Sequence, residues 1–475
     1  MWKHGIHSFL ELLRHRLPES RDFMLAFIYL AYQMIALLFE TVRTFEDTWI
    51  ECLGDLGRYR MAIEDEDLRD REIWTGVART WYGKAAHRTP SIGRIYHHLA
   101  ILARPNALQQ LYLYTRSLIS VQPFASARGS ILTLFDPIIG RTQISQSFLV
   151  EQDAGFIKIH SRLFERANLE SLVDAIVTFT SQLDDHISRS GVKWKDPGAY
   201  VAIANIAALL GYGADDSILW CLFHYQNVRI THGVQRDAPT REVEDGLPDT
   251  ASTLANLQQK VESLLVNPEH SLIIPHALSL TFSVLSVVLR RGTDRNTLPY
   301  IHITLVFLLR LLSLPDELDT SYVATILAAV PWEVLSFYLQ TLTESEGMRS
   351  RFEGTDVSSK GNDSKQPLPE DHLLRGQLWC EGYYPIDFFD DCVDEERQII
   401  EVTLITQLRI ERILYLGVQI ALKSVSCVLN HQSSIVSDCI VWTIDTTRSL
   451  YIACRALCAC ARRPTCCCWN RAVTF

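Results

Sequence analysis

Apolar residues recur at the spacing of an α-helix along almost the whole of this 475-residue chain, whereas the alternation typical of β-strands is nearly absent. The clearest segments run from Arg21 to Thr41 and from Glu46 to Ile63, each with apolar residues three and four positions apart. Elements of this kind bury their apolar faces by packing helix on helix. We therefore predict an all-α fold.

The first of these segments contains an uncharged run of 16 residues, Met24 to Phe39. This run is shorter than the ~18 to 20 residues that cross a bilayer, and we predict a buried helix with Ser20 as its N-cap. Pro331 should kink a helix over residues 322–342. Further helices are predicted over residues 150–164, 169–187, 200–210, 217–228, 253–265, 272–289 and 298–314.

Charge is distributed unevenly. Residues 1–130 carry 16 Lys and Arg against 14 Asp and Glu, and the rest carries 29 against 41. Proteins that bind nucleic acid through a whole face are basic over that face, so any nucleic-acid contact here should be local. Eight of the 12 cysteines lie in the last 49 residues, at spacings that match neither paired CxxC motifs nor a zinc finger.

Two tyrosines and two prolines mark a pair of similar segments. Tyr82 precedes Pro90 by eight residues and Tyr114 precedes Pro123 by nine, so the prolines lie 33 residues apart. This period is close to the ~34 residues of tetratricopeptide helix pairs, in which a small residue lets two helices touch. The small residues here are Ala85 and Ser117.

The segment from Glu46 to Ile63 contains an arginine beside a tyrosine, Arg58 and Tyr59. The rigid guanidinium can bind a phosphate through two donors, and the tyrosine hydroxyl can add a third. An internal ion pair between Arg58 and Asp55 is the structural alternative. Gly54 and Gly57 cost roughly 1 kcal/mol each relative to alanine, which predicts the close approach of another backbone.

Several segments together resemble one family. They are Trp2-Lys3-His4, Trp49, Cys52 to Arg60, Trp81-Tyr82-x-x-Ala85, Pro90 to Ala103, Tyr112 to Leu118 and Pro123 to Arg128, with Leu374-Arg375-Gly376 and Arg412 to Gly417 further on. The chain resembles the Est/SMG family of telomerase and nonsense-mediated-decay adaptors, in its filamentous-fungal form. The resemblance is strongest over residues 1–130 and looser to about 425.

The resemblance implies a 14-3-3-like module with tetratricopeptide-like hairpins, followed by a helical-hairpin domain. In the phosphate-binding members of the family, an Arg-Tyr pair and a lysine of the opening helix form the pocket, and Arg58 and Tyr59 match the pair. At the lysine position this chain has His7, a weaker donor that titrates near neutral pH. Arg14, two turns further on, and Lys3, one turn back, are candidates for the missing charge.

We predict three segments: the module over residues 1–140, the helical-hairpin domain over 141–425 with a disordered loop at about 344–372, and an unstructured cysteine-rich tail over 426–475. Family members have about two further helices before Trp2, so the module is expected to be short at its N-terminus.

No catalytic motif was found in the sequence. Asp184-Asp185-His186 lie in a row on one helix and do not form an acid–base pair, and His97 and His98 point about 100° apart, which is unsuited to one metal ion. Some family members end in a nuclease domain of roughly 150 residues, and only 53 residues follow Leu422. We expect no enzyme activity, cofactor or metal.

The leading hypothesis is a non-enzymatic adaptor of the nucleus and cytoplasm that docks a phosphorylated segment of an RNA-decay helicase. Decapping and deadenylation factors are further candidate partners, whereas membranes and small-molecule substrates are not expected. The alternative is a subunit that binds telomerase RNA or telomeric nucleic acid, through Arg60, Lys84, Arg88, Arg94 and Arg128. A third hypothesis is a helical scaffold with a degenerate pocket, in which His7 and Arg58 point into different cavities.

Overall fold

The computed structural model describes residues 1–64, 67–140, 151–236, 250–266, 272–315, 321–345, 366–385, 387–390 and 403–431. Within these ranges the regular structure is helical, apart from two isolated β-bridges. The predicted all-α class is confirmed. Most of the predicted loop at 344–372 and nearly all of the cysteine-rich tail lie outside the described residues.

A π-helical turn, Trp2–His7, opens the chain. Eight helices follow: α1 (Ser8–Arg14), α2 (Arg21–Thr41), α3 (Glu46–Ile63), α4 (Leu68–Arg88), α5 (Gly93–Leu102), α6 (Ala107–Ile119), α7 (Ala127–Ser130) and α8 (Leu132–Ile138). Helices α2 and α3 begin and end at the residues that the periodicity predicted.

The later helices also agree with the predicted segments to within a few residues at most ends. They are α9 (Glu151–Glu165), α10 (Leu172–Ser190), α11 (Lys195–Leu209), α12 (Ile218–Arg236), α13 (Thr250–Val266), α14 (Ile274–Arg290), α15 (Leu298–Leu311), α16 (Ser321–Ala328), α17 (Trp332–Ser345), α18 (Pro369–Leu374) and α19 (Thr403–His431). The kink predicted at Pro331 is a break, across which α16 and α17 meet at 60°.

The chain forms two compact units. Unit 1 comprises residues 1–182, 199–277 and 370–385, and unit 2 comprises residues 183–198, 278–369 and 386–475. The predicted domain boundaries at residues 140 and 425 remain predictions. Inside unit 2, α15 is buried along its whole length, and Arg291 binds Asp184 and Asp294.

In unit 1, α3 is the central helix. Leu53 and Leu56 pack in one core cluster with residues of α1 and α2, and Ile50 packs in a second cluster with α4 and α5. A Cβ added at Gly54 would lie 2.9 Å from the Tyr82 ring, and one added at Gly57 would lie 3.3 Å from the backbone of Ala78. Both glycines lie in a close α3–α4 contact: Gly57 faces another backbone, as predicted, whereas Gly54 faces a side-chain ring.

Side-chain caps fix two of the helix starts. Asp67 accepts hydrogen bonds from the first backbone N–H groups of α4, and Asn106 accepts one from Gln109 at the start of α6. The acidic run that follows α3 begins with Glu64, which is buried beside Arg60. Ser20 precedes α2 as predicted, although its hydroxyl donates to the Leu13 carbonyl instead of capping the helix.

Residues 370–385 return to unit 1 and are fixed there by the buried guanidinium of Arg116. This group donates to the hydroxyls of Tyr112 and Tyr96 and, at 2.8 Å, to the carbonyl oxygen of Arg375. The backbone N–H of Val121 donates to the carbonyl of Gly376 at 3.1 Å. We call residues 370–385 the return segment.

The prediction that α2 is a buried helix is wrong. By length and composition it could cross a membrane, with a mean hydropathy of 1.8 over 18 residues, yet only 22% of that window is buried. One face of α2 packs in the core of unit 1 through Met24, Ile28, Ala31 and Ile35, and the other face is open. By length and composition, helices α16 and α17 could also cross a membrane together, as a bent pair.

Candidate phosphate-binding groove

Tyr59 and Arg58 of α3 point to two sides of the helix, because neighbouring residues are about 100° apart. The Tyr59 side chain faces α1, where its hydroxyl donates a 2.6 Å hydrogen bond to Glu11 and its ring lies 6.2 Å from that of His7. The Arg58 guanidinium faces α4, although its carbon lies 5.3 Å from the centre of the Tyr59 ring. The Tyr59 ring is therefore close to both His7 and Arg58.

Glu11 lies at this site, although the sequence patterns did not indicate it. Its carboxylate accepts the hydrogen bond of Tyr59 and also binds the guanidinium of Arg14 at 2.7 Å. The hydrogen bond from Tyr59, with the nearby Arg14, lowers the pKa of Glu11. Burial and the bond to Glu11 raise the pKa of the Tyr59 hydroxyl, so that it remains a donor at neutral pH.

Asp55 binds Arg58, the other member of the Arg-Tyr pair. Its carboxylate accepts a 2.6 Å hydrogen bond from the Tyr82 hydroxyl and lies 3.2 Å from the Arg58 guanidinium. The internal ion pair considered as the alternative is therefore present. The side chain of Arg58 is 25% exposed, and its guanidinium also donates to the Tyr82 hydroxyl at 3.4 Å.

We define the α1–α3 groove by His7, Glu11, Arg14, Arg58 and Tyr59. Four of these were predicted together from the sequence, and contacts with Tyr59 or Glu11 connect them. Lys3 lies on the first turn, where its carbonyl accepts a hydrogen bond from Ser8, and its side chain is exposed.

Two histidines of α5 lie near Arg58. The His98 ring stacks on Tyr82 at 5.1 Å, and His97 is hydrogen-bonded to Ser130 at 2.9 Å. Burial lowers the pKa of His97 to about 4 and that of His98 to about 3, so both rings are neutral near pH 7. Among the described residues, no group of three His, Cys, Asp or Glu side chains is arranged to hold a metal ion.

The five basic residues predicted for nucleic-acid contact lie on four different helices. Arg60 differs from the other four because its side chain is only 7% exposed and binds Glu64 and Asp70. A nucleic-acid phosphate would have to break these two ion pairs, so the geometry disfavours the predicted role of Arg60.

The remaining four are more accessible. Arg88 and Arg94 are 44% and 50% exposed and are paired with acidic residues of α3, Asp47 and Glu51 respectively. Lys84 lies over the Trp81 ring at 4.9 Å. Arg128 donates to the carbonyl of Tyr212 and lies over the Phe164 ring at 5.1 Å.

Comparisons with known proteins find similarity over part of the chain. The family model of the Est1 DNA/RNA binding domain matches residues 78–230. The chain is 39% identical over 88 residues to telomerase-binding protein EST1A of Danio rerio, which covers 18% of this chain and 5% of that protein. It is 25% identical over 184 residues to the nonsense-mediated mRNA decay factor SMG7 of Arabidopsis thaliana, covering 30% of this chain and 17% of SMG7.

A third relative, the SMG7-like decay factor of Arabidopsis thaliana, is 37% identical over 89 residues, which is 18% of this chain and 10% of the relative. The solved structure described as Est1 and Cdc13 aligns with a TM-score of 0.44 at 10% identity, over 89% of this chain and 86% of that one. The matched segments thus span less than a fifth of each curated relative. Residues 78–230 are therefore similar to Est1-type DNA/RNA binding domains, and parts of the chain are similar to members of the Est/SMG family.

Proposed function

We propose that the chain is a non-enzymatic adaptor that docks a phosphorylated protein segment in the α1–α3 groove. The observation that supports this most is the convergence of Tyr59 and Arg14 on the Glu11 carboxylate. A phosphate and a carboxylate both present anionic oxygens, and both bind best to charged or strongly polar donors. The groove already holds one anion with donors from two helices.

Arg58 is the donor that would bind a phosphate ligand, whereas in the present structure it does not bind Glu11. Its guanidinium lies beside the Tyr59 ring and is held by Asp55 at 3.2 Å. A phosphoserine carries a charge of about −1.5 to −2 at neutral pH, more than the single charge of Asp55. A phosphate beside Tyr59 would therefore attract Arg58 more strongly than Asp55 does. Arg58 would then exchange its ion pair with Asp55 for one with the phosphate.

The experiment is binding of a peptide library with one central phosphoserine and random flanks, measured by fluorescence anisotropy. Arg58→Glu should weaken binding at least ~10-fold, since it replaces a donor by a like charge. Arg88→Glu is the matched control, because Arg88 is also an ion-paired arginine of unit 1. Equal affinity of the wild type and Arg58→Glu, or equal affinity for the unphosphorylated library, would contradict the proposal.

A second candidate function is nucleic-acid binding, for telomerase RNA or telomeric DNA. It is supported by the family match, because residues 78–230 include Lys84, Arg88, Arg94 and Arg128. Each neutralised phosphate releases counterions, so binding through these side chains should weaken steeply with salt. Filter binding of single-stranded RNA and DNA at several salt concentrations tests this, and a flat response would remove the candidate.

The partners follow from these two alternatives. An adaptor of the decay type would bind a phosphorylated helicase-like protein, and decapping or deadenylation factors are further candidate partners. A telomeric subunit would bind telomerase components instead. We propose that the protein acts in the nucleus and cytoplasm. Affinity purification with mass spectrometry, with and without phosphatase treatment, distinguishes the two. Loss of both peptide and nucleic-acid binding would leave the third hypothesis, a scaffold with a degenerate groove.

A further inference from the structure

The outer face of α2 is apolar and open. Phe23 is 72% exposed, Leu30 and Leu37 are each 64% exposed, and Met34 is 40% exposed. Ala26 lies on the same exposed face. We call these five residues the α2 stripe. A soluble monomer rarely leaves a contiguous apolar surface of this extent uncovered, and such surfaces commonly mark interaction sites.

The stripe is symmetric about its centre. Its residues follow one another at spacings of 3, 4, 4 and 3 positions, so the pattern is the same from either end with Leu30 in the middle. Spacings of three and four place all five on one side of the helix. When two such helices lie antiparallel, each residue faces the one equally far beyond Leu30 in the other copy.

The residues brought together in this way are complementary in size. Leu30 would face Leu30 of the second copy, Phe23 would face Leu37, and the small Ala26 would leave room for Met34. A large side chain opposite a small one is the arrangement that lets two helix surfaces interdigitate.

We propose that the α2 stripe is the contact between two copies of this chain, related by a two-fold axis through Leu30. In a two-fold contact the same surface of both subunits is used, and each pairing occurs twice. The proposal does not depend on the function of the α1–α3 groove.

The exposed apolar area is close to the area of a standard protein interface. Phe9 and Leu12 of α1 are 41% and 50% exposed, and Phe9 adjoins α2 through a 4.7 Å ring contact with Phe27. Tyr29 of α2 is 45% exposed. With about 200 Å² for each large side chain, these residues and the stripe expose roughly 700 Å² of mostly apolar area in each copy. A standard protein interface covers about 800 Å² on each partner.

A second copy fits this face better than a membrane does. The opposite face of α2 lies in the core of unit 1, so the helix could cross a bilayer only by leaving Met24, Ile28 and Ile35 without their present neighbours. Asp22 and Glu40 are exposed at its two ends. These charges suit the polar rim of a protein interface.

The first experiment is sedimentation equilibrium of the full chain from low to high micromolar concentration. The wild type should be a dimer, and Leu30→Glu should be a monomer, because it places two carboxylates at the axis. Leu30 is 64% exposed, so the variant should keep the circular dichroism spectrum of the wild type. Val177→Glu is the matched control: Val177 is a 60% exposed residue of α10 in unit 1, and this variant should remain a dimer.

The second experiment tests the two-fold axis itself. Leu30→Glu and Leu30→Lys should each be monomeric alone and should form a mixed dimer when combined, since opposite charges then meet at the axis. A monomeric wild type, a dimeric Leu30→Glu or the absence of a mixed dimer would each overturn the proposal. So would a wild type that stays monomeric and co-sediments with phosphatidylcholine vesicles, since α2 would then bind lipid.

Discussion

The Tyr59 hydroxyl lies 2.6 Å from a carboxylate oxygen of Glu11, and this hydrogen bond joins two helices across the candidate groove. The same carboxylate also binds Arg14. Any anion that enters the groove therefore competes with an acid that the chain itself supplies. If the groove binds an anion as proposed, we expect Glu11 to influence its selectivity.

Replacing Glu11 by glutamine should strengthen phosphopeptide binding. The amide keeps the size of the side chain and an acceptor for Tyr59, but it removes a negative charge that repels the ligand. We expect about tenfold tighter binding, equivalent to ~1.4 kcal/mol. Fluorescence anisotropy at constant ionic strength measures it, with Glu72→Gln on the exposed side of α4 as control. Weaker binding by Glu11→Gln would show that the carboxylate organises the groove instead of competing for it.

The contribution of the Tyr59–Glu11 bond to stability should vanish in acid. The pKa of Glu11 is lower in the folded protein than in the unfolded chain, so the bond stabilises the fold above about pH 4.5 and this stabilisation is lost as the pH falls through the lowered pKa. The free energies of unfolding of the wild type and Tyr59→Phe, measured in urea, should differ most above about pH 4.5 and converge as the pH falls below the lowered pKa of Glu11. A difference that stays constant over this range would contradict the lowered pKa.

Two glycines should respond oppositely to alanine. A Cβ at Gly93 would lie 2.3 Å from the carbonyl oxygen of Ser117, whereas at Gly83 it would meet nothing within 4 Å. Gly93→Ala should destabilise unit 1 by about 3 kcal/mol or more, since neither backbone can move freely. Gly83→Ala should stabilise the protein by up to ~1 kcal/mol through helix propensity. Thermal unfolding measures both, and a neutral Gly93→Ala would show that the close α5–α6 contact is absent.

Replacing Arg116 should release the return segment. Lysine retains the charge, but it cannot reach both tyrosine hydroxyls and the Arg375 carbonyl with one planar group. In Arg116→Lys, the amide hydrogens of Val121 and of the return segment should exchange at least ~10-fold faster. Arg128→Lys provides a comparison within unit 1. Unchanged exchange in Arg116→Lys would mean that other contacts hold the return segment.

The helix limits were predictable where local signals agree. Helices α2 and α3 were predicted to the residue because periodicity, Ser20 and the acidic run after Ile63 all mark the same positions. Local sequence does not say which face of a helix is covered. This is why α2 was predicted to be buried, and why Arg60, two residues after the partly exposed Arg58, was predicted to contact nucleic acid.

The groove was predictable only in part, for a related reason. Arg58 and Tyr59 could be identified because they are adjacent and match a family motif. Glu11 lies 48 residues before Tyr59, and no pattern within α1 indicates which of its side chains faces α3. The pairing depends on how two helices pack, and this information is absent from either segment alone.

The contact between Arg116 and the return segment joins residues that lie 256 and 259 positions apart in the chain. At about 5 to 20 residues per second, these carbonyl groups are synthesised on the order of 10 to 50 seconds after Arg116. Unit 1 is therefore completed late in translation, after much of unit 2 has left the ribosome. A nascent chain arrested before residue 370 should be cleaved by protease near Val121 faster than one arrested after the return segment has emerged.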